Sequence, residues 1–291
     1  MGTRYKLAVL TLLCSLLSAC GGSGGGTPSV LTANRPVTVT SSQVIKHIVV
    51  IIQENRTLDN LFMGFPGADT ASSGTMSDGT TVQLAPVPLE QGPDIDHSRA
   101  NFLRQYAGGN LFFDLGAPPG AGPSYPSGYV PREEPAPYWA LAQQWTFGDR
   151  MFQTNGGPSY PAHQYLIAGQ SGRLVDNPNG FPWGCDAAAG VVTNTVDAGG
   201  NPATPTPPCV DYTTLADKLE KNGLTWRYYA PVYGTTNGYQ WSAFDAIRHI
   251  RYGPDWTSAV ISPETSVLAD AAAGTLPAVT WVAPSFANSD H

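Results

Sequence analysis

The sequence predicts a layered α/β domain built on a mostly parallel sheet with helices on both faces, and three observations carry that reading. Ile48, Val49, Val50, Ile51 and Ile52 are consecutive β-branched residues without polar alternation, the pattern of a parallel strand covered on both faces. Thr214 as an N-cap, Leu215, Ala216 and Leu219 facing inward, Gly223 just beyond the helix and a strand over 224–229 make one α/β repeat. A last strand over 278–282 opens into the polar residues Ser289, Asp290 and His291. Open α/β sheets hold their ligands at such carboxyl ends.

The remaining elements follow in order. The first strand occupies 45–52, and a short helix over 57–62 carries Leu58, Leu61 and Phe62 on one face. Residues 64–93 are a Gly, Pro, Ser and Thr loop with a short hairpin near 80–84. Ser98 caps a helix over 98–107 that turns Phe102, Leu103 and Tyr106 inward. After a second long loop at 116–134, a helix over 137–144 begins on Pro137, with Tyr138, Leu141, Ala142 and Trp145 toward the core. Residues 145–152 read as a short strand or extended segment, which leads through a Gly-Pro turn into an apolar helix ending near Gly169. An insertion-like loop fills 174–211, Phe244, Ile247 and Ile250 mark a short helix, and 265–273 is another.

Composition limits the partners. Only 13% of the 291 residues are charged, against 32 Gly and 26 Pro, so loops are many and long. A net charge of −7 supplies no basic field for nucleic acid and no charge-driven adhesion to anionic lipid. Arg4 and Lys6 precede an apolar run at 7–17, so 1–19 reads as a secretory signal too short to span a bilayer as a mature helix. Leu17-Ser18-Ala19-Cys20 resembles a bacterial lipobox, which makes Cys20 a lipidated N-terminus and 20–43 a Gly/Ser-rich tether and linker. The plainer alternative is an ordinary cleaved signal with an incidental cysteine. The expected location is the bacterial cell envelope, in the periplasm or on the outer face of a membrane. Cys185 and Cys209 remain to pair as a disulfide in an oxidising compartment; a two-cysteine zinc site is the alternative.

Three stretches share one layout, an apolar segment opening into polar residues. They deliver Glu54 and Asn55 after the first strand, Ser159 after 147–152, and Asp290 with His291 after the last strand. Glu54, Asn55 and Asp290 are hard oxygen donors suited to a divalent cation. Ser159 stands at a helix start, where backbone N–H groups and the helix dipole favour a phosphate and an alkoxide. His97 stands at another helix start, which favours a neutral imidazole. Each has a purely structural reading as well: Asn55 and Ser159 as caps, Glu54 as a solvated turn residue, His97 as part of a capping segment.

Together the stretches resemble a family. The run from Glu54 through Asn55-Arg56-Thr57-Leu58-Asp59-Asn60-Leu61 to Phe62 is similar to the opening motif of the phosphoesterase family that contains phosphatidylcholine-type phospholipases C and acid phosphatases. The resemblance continues through Phe147-Gly148-Asp149-Arg150-Met151-Phe152, Gly157-Pro158-Ser159-Tyr160-Pro161 and residues 215–229, and ends at Ser289-Asp290-His291. It implies an alkaline-phosphatase-like fold over 44–291 and hydrolysis of phosphoric esters, phospholipid among them, through a serine nucleophile beside a metal ion. Carried over, Ser159 is the nucleophile, His97 a phosphate-side or leaving-group histidine, and Glu54, Asn55 and Asp290 the ligands of Ca, Mg, Mn, Zn or Fe. His291 matches the final motif as a substrate-binding histidine. Ser289 stands where acid-phosphatase members often carry an aspartate, and the paired histidines some members carry near 240–244 are missing. The chain stops directly after the last motif, whereas family domains continue, so a C-terminally truncated domain is expected. The competing reading is a tethered binding lipoprotein without turnover; a sulfatase-like hydrolase ranks lower, for want of a Cys-x-Pro-x-Arg context.

Overall fold

The computed structural model describes residues 45–91, 95–116, 128–235 and 237–290. The expected signal at 1–19, the tether with Cys20 and the candidate His291 lie outside the described residues. In chain order the first elements are β1 (Ile48–Ile51), α1 (Leu58–Phe62), β2 (Ser73–Thr75), β3 (Thr81–Gln83), β4 (Ala85–Pro86), α2 (Arg99–Tyr106), β5 (Gly128–Tyr129), α3 (Ala136–Gln144) and α4 (Ser159–Ala168). Then come β6 (Thr193–Val196), β7 (Pro202–Thr206), α5 (Leu215–Lys221), β8 (Trp226–Tyr229), α6 (Arg248–Arg251), α7 (Asp255–Ser258), β9 (Val260–Ile261), α8 (Ser266–Ala273) and β10 (Val279–Val282). Among the described residues no helix is long and apolar enough to cross a membrane.

The central sheet runs β1-β10-β8-β9, every neighbouring pair parallel. Its interior strands are β10 and β8, and in β10 Val279, Thr280, Trp281 and Val282 are all buried. Here the structure corrects the sequence reading: β1 bonds to β10 on one side and lies at the end of the described sheet, with Ile48, Val49 and Ile51 exposed. An apolar run identifies a strand, whereas its place in the sheet is set by long-range pairing. The α/β repeat stands as expected. Thr214 caps α5 in a reciprocal capping box with Asp217, and Gly223 adopts φ +69° after it.

The core lies where β8 and β10 meet the 3₁₀ turn Ala243–Ala246, with Phe244, Ile247, Trp281, Tyr228 and Ile167 almost fully buried. Three helices depart in part from the expected facing. In α2 the buried residue is Asn101, whose amide donates to the Asp96 carbonyl, while Phe102, Leu103 and Tyr106 stay partly exposed. In α3 it is Trp139, whose Nε1–H donates to the Leu61 carbonyl at 2.8 Å, while Leu141 and Trp145 face out. Likewise Leu215 of α5 is exposed, with Ala216 and Leu219 inside.

Residues 145–152 form no strand. Phe147 instead packs its ring 4.7 Å from Phe62 and 4.9 Å from Phe65, and Asp149 accepts from the Asp69 N–H at 3.0 Å. The segment is held against α1 by aromatic contacts, outside the sheet. The predicted loop at 174–211 contains the antiparallel pair β6–β7, and β2–β3 make the hairpin near 80–84. Cys185 and Cys209 are joined in a disulfide at a separation of 24 residues, a closure that contributes about 3 kcal/mol by restricting the unfolded chain. Beside it, Arg251 pairs with Asp186 at 2.7 Å and Asp245 at 3.0 Å and lies over Trp256. Burial pushes the Asp245 carboxyl up to about 7, even with the Tyr239 hydroxyl and Arg251 pulling the other way.

Candidate active site

The opening motif builds the site's frame. After β1 the chain turns at Asn55, a non-glycine residue held at φ +63°; such conformations persist where the surroundings enforce them. Arg56 reaches across to the chain's end, its Nε donating to the Asp290 carbonyl at 2.6 Å and its Nη2 to the Leu89 carbonyl at 2.8 Å. Thr57 caps α1 by accepting from the Asn60 N–H at 3.2 Å. Asp59 accepts from the Ala71 N–H at 2.5 Å, and the Asn60 amide donates to the Gly128 carbonyl at 2.9 Å. Most of the motif therefore fixes loops around Glu54.

Ser159 is the first residue of α4, behind a Pro158 that offers no side-chain cap. The tight entry explains the preceding glycine: a Cβ on Gly157 would lie 2.8 Å from the Val175 carbonyl oxygen. In the first turn the Tyr160 N–H donates to Asn177 at 3.0 Å, and Pro161 has no N–H to give. The dipole at this end favours negative charge.

Ser159, Glu54 and His163 are all buried and mutually engaged. The Ser159 hydroxyl donates to Glu54 Oε2 at 2.9 Å, and His163 Nε2 bonds to Glu54 Oε1. One carboxylate thus spans the hydroxyl and the imidazole. All three line a cavity of about 320 Å³, together with Asn55 and His97. His97 Nδ1 bonds to the Ile95 carbonyl at 2.8 Å, so Nδ1 carries the proton in that bond. Met151, Phe152 and Leu166 give the cavity an apolar side.

His163 carried no role in the sequence reading. Its signal was the i, i+4 spacing from Ser159, which puts both side chains on one face of α4. Asp290 follows β10, the neighbour of β1, but is not on the cavity wall. Its carboxylate accepts from the Tyr138 hydroxyl at 3.2 Å, and the same Tyr138 oxygen accepts from Gln53 at 2.9 Å. Burial lifts the Asp290 carboxyl above the ordinary range, against the pull of Tyr138 and Arg56.

The expected cation ligands Glu54 and Asp290 each hold hydrogen-bond partners in this structure. Both Glu54 oxygens are engaged by Ser159 and His163, and the Asp290 carboxylate by Tyr138. Among the described residues no three His, Cys, Asp or Glu side chains converge closely enough to hold an ion.

Parallel strands that bring a carboxylate to a cleft holding a helix-start serine define a mixed α/β protein with its candidate site at the carboxyl edge of the sheet. The family follows from comparison: the model of the Phosphoesterase family matches residues 45–291, and the chain belongs to that family. It is 23% identical over 286 residues to the hemolytic phospholipase C of Pseudomonas aeruginosa, a match covering 86% of this chain and 37% of that protein. The match thus spans well under half of its relative's length.

Proposed function

We propose that the protein hydrolyses phosphoric esters, as a phospholipase C or phosphatase, through Ser159. The observation that carries this reading is the buried Ser159 hydroxyl donating to Glu54 at 2.9 Å at the start of α4. A bare serine is a weak nucleophile, and an adjacent carboxylate that accepts its proton makes it a stronger one. Ser159 Oγ attacks phosphorus, its proton passes to Glu54 Oε2, and the bond from phosphorus to the leaving oxygen breaks, with that oxygen taking a proton from water and His97 on the phosphate or leaving-group side. Water then attacks the phosphoserine, the bond from phosphorus to Oγ breaks, Oγ recovers its proton from Glu54, the water's proton passes to solvent, and the phosphate or phosphorylated head group is released. The family and the phospholipase C relative support the substrate class. The apolar wall of Met151, Phe152 and Leu166 suits an ester with a hydrophobic substituent, phospholipid included.

Acid quenching during turnover, followed by peptide mass mapping, is expected to find a phosphoryl group on the peptide containing Ser159. An adduct on another residue, or none while turnover proceeds, removes the serine mechanism.

The divalent cation at Glu54, Asn55 and Asp290 belongs to the same proposal but carries no step in it. Each Glu54 oxygen keeps a lone pair beyond its bond to Ser159 or His163, so an ion would share the carboxylate with them. Elemental analysis of purified protein is expected to find less metal in Glu54→Gln than in the wild type, and equal content excludes this ligand set. The N-terminal pattern supports export and a lipid anchor at Cys20.

A further inference from the structure

We propose that Asn155 and His163 form an oxygen-binding subsite beside Ser159, which holds a tetrahedral phosphoryl group. Both polar atoms of the Asn155 side chain, Nδ2 and Oδ1, are buried with no hydrogen-bond partner among the described residues, and so is Nδ1 of His163. Leaving such groups unpaired is costly, so those that persist call for a ligand. Both residues line the cavity that contains Ser159, and the His163 side chain is only 5% exposed. The loop that carries Asn155 is held from within, since Gln153 donates to the Asn155 carbonyl at 2.6 Å and to the Gly157 carbonyl at 3.1 Å. Arg99 ties the same loop to α2 through the Gly156 carbonyl at 3.3 Å.

The three atoms specify the ligand. Asn155 Nδ2 is a donor and needs an oxygen acceptor, whereas Oδ1 is an acceptor and needs a hydroxyl. His163 Nε2 is engaged by Glu54, which leaves Nδ1 as a third polar atom for the same ligand. A group with bare and protonated oxygens on one centre meets all three, and a phosphate monoanion is such a group. The helix dipole at the start of α4 adds attraction for its charge. The subsite rests on the hydrolase reading for the identity of the anion, and its residues are separate from the nucleophile.

Inorganic phosphate is the probe, titrated calorimetrically into the full chain as wild type, Asn155→Ala and Asn155→Asp, with a thermal melt of each without phosphate. Asn155→Ala is expected to weaken phosphate binding on the order of tenfold or more, and Asn155→Asp by more, through repulsion of the anion. Because Asn155 makes no side-chain bond within the described protein, the melting temperature of Asn155→Ala is expected to be unchanged or raised. Phosphate binding equal to wild type in both variants overturns the proposal, as does a wild type that binds no phosphate. Weakened binding in both variants of a protein that hydrolyses no ester upholds the subsite and defeats the hydrolase reading. Hydrolysis with phosphate binding unaffected by either variant does the reverse.

Discussion

Ser159→Ala is expected to lower kcat on a chromogenic phosphate ester by about a thousandfold or more, with KM changed far less. The hydroxyl oxygen is the atom that forms the bond to phosphorus, so its loss removes the covalent route instead of weakening a contact. What survives is binding in the cavity and the field of the α4 terminus, which alone give only residual acceleration. The same change leaves Glu54 Oε2 without its 2.9 Å donor at a buried position, and that costs about 1–3 kcal/mol of stability. A melt beside the assay separates the two effects: a folded, inactive variant supports the nucleophile. Hydrolysis within a few fold of wild type removes Ser159 from the reaction.

Legibility in the sequence followed the range of the interactions. Thr214 and Gly223 were readable because a capping box and a left-handed glycine act within a few residues. The cysteine pair was readable by counting. The edge position of β1 was not, since Ile48 to Ile51 would look the same in any strand of a covered sheet. In α2 the helix was visible and its facing was not. Asn101 turned inward through a bond to Asp96, which hydrophobic spacing does not encode. At the site, Glu54 lies 105 residues from Ser159 and 109 from His163, so only folding could show that one carboxylate serves both. Of the two readings of 145–152 the strand fails, because Phe147 answers to Phe62 and Phe65, far away in sequence.

The largest stability effect is expected for Phe244→Ala, about 3–5 kcal/mol in denaturant unfolding. Phe244 is fully buried, with its ring 4.8 Å from Trp226, 5.3 Å from Tyr228 and 5.8 Å from Trp281. Alanine leaves a cavity bounded by three large rings, two of them in β8 and one in β10, which collapse poorly into the space. The effect also reaches the site. The turn that carries Phe244 holds α4 through Gln164, whose amide donates to the Ala243 carbonyl at 3.0 Å, and α4 carries Ser159 and His163. Leu268→Ala in α8, at a residue 70% exposed, is the control, expected within about 0.5 kcal/mol of wild type. Equal losses in the two variants would mean that the aromatic cluster does not anchor the sheet. A large loss in Phe244→Ala alone places the anchor of α4, and through it the geometry between Ser159 and Glu54, in that cluster.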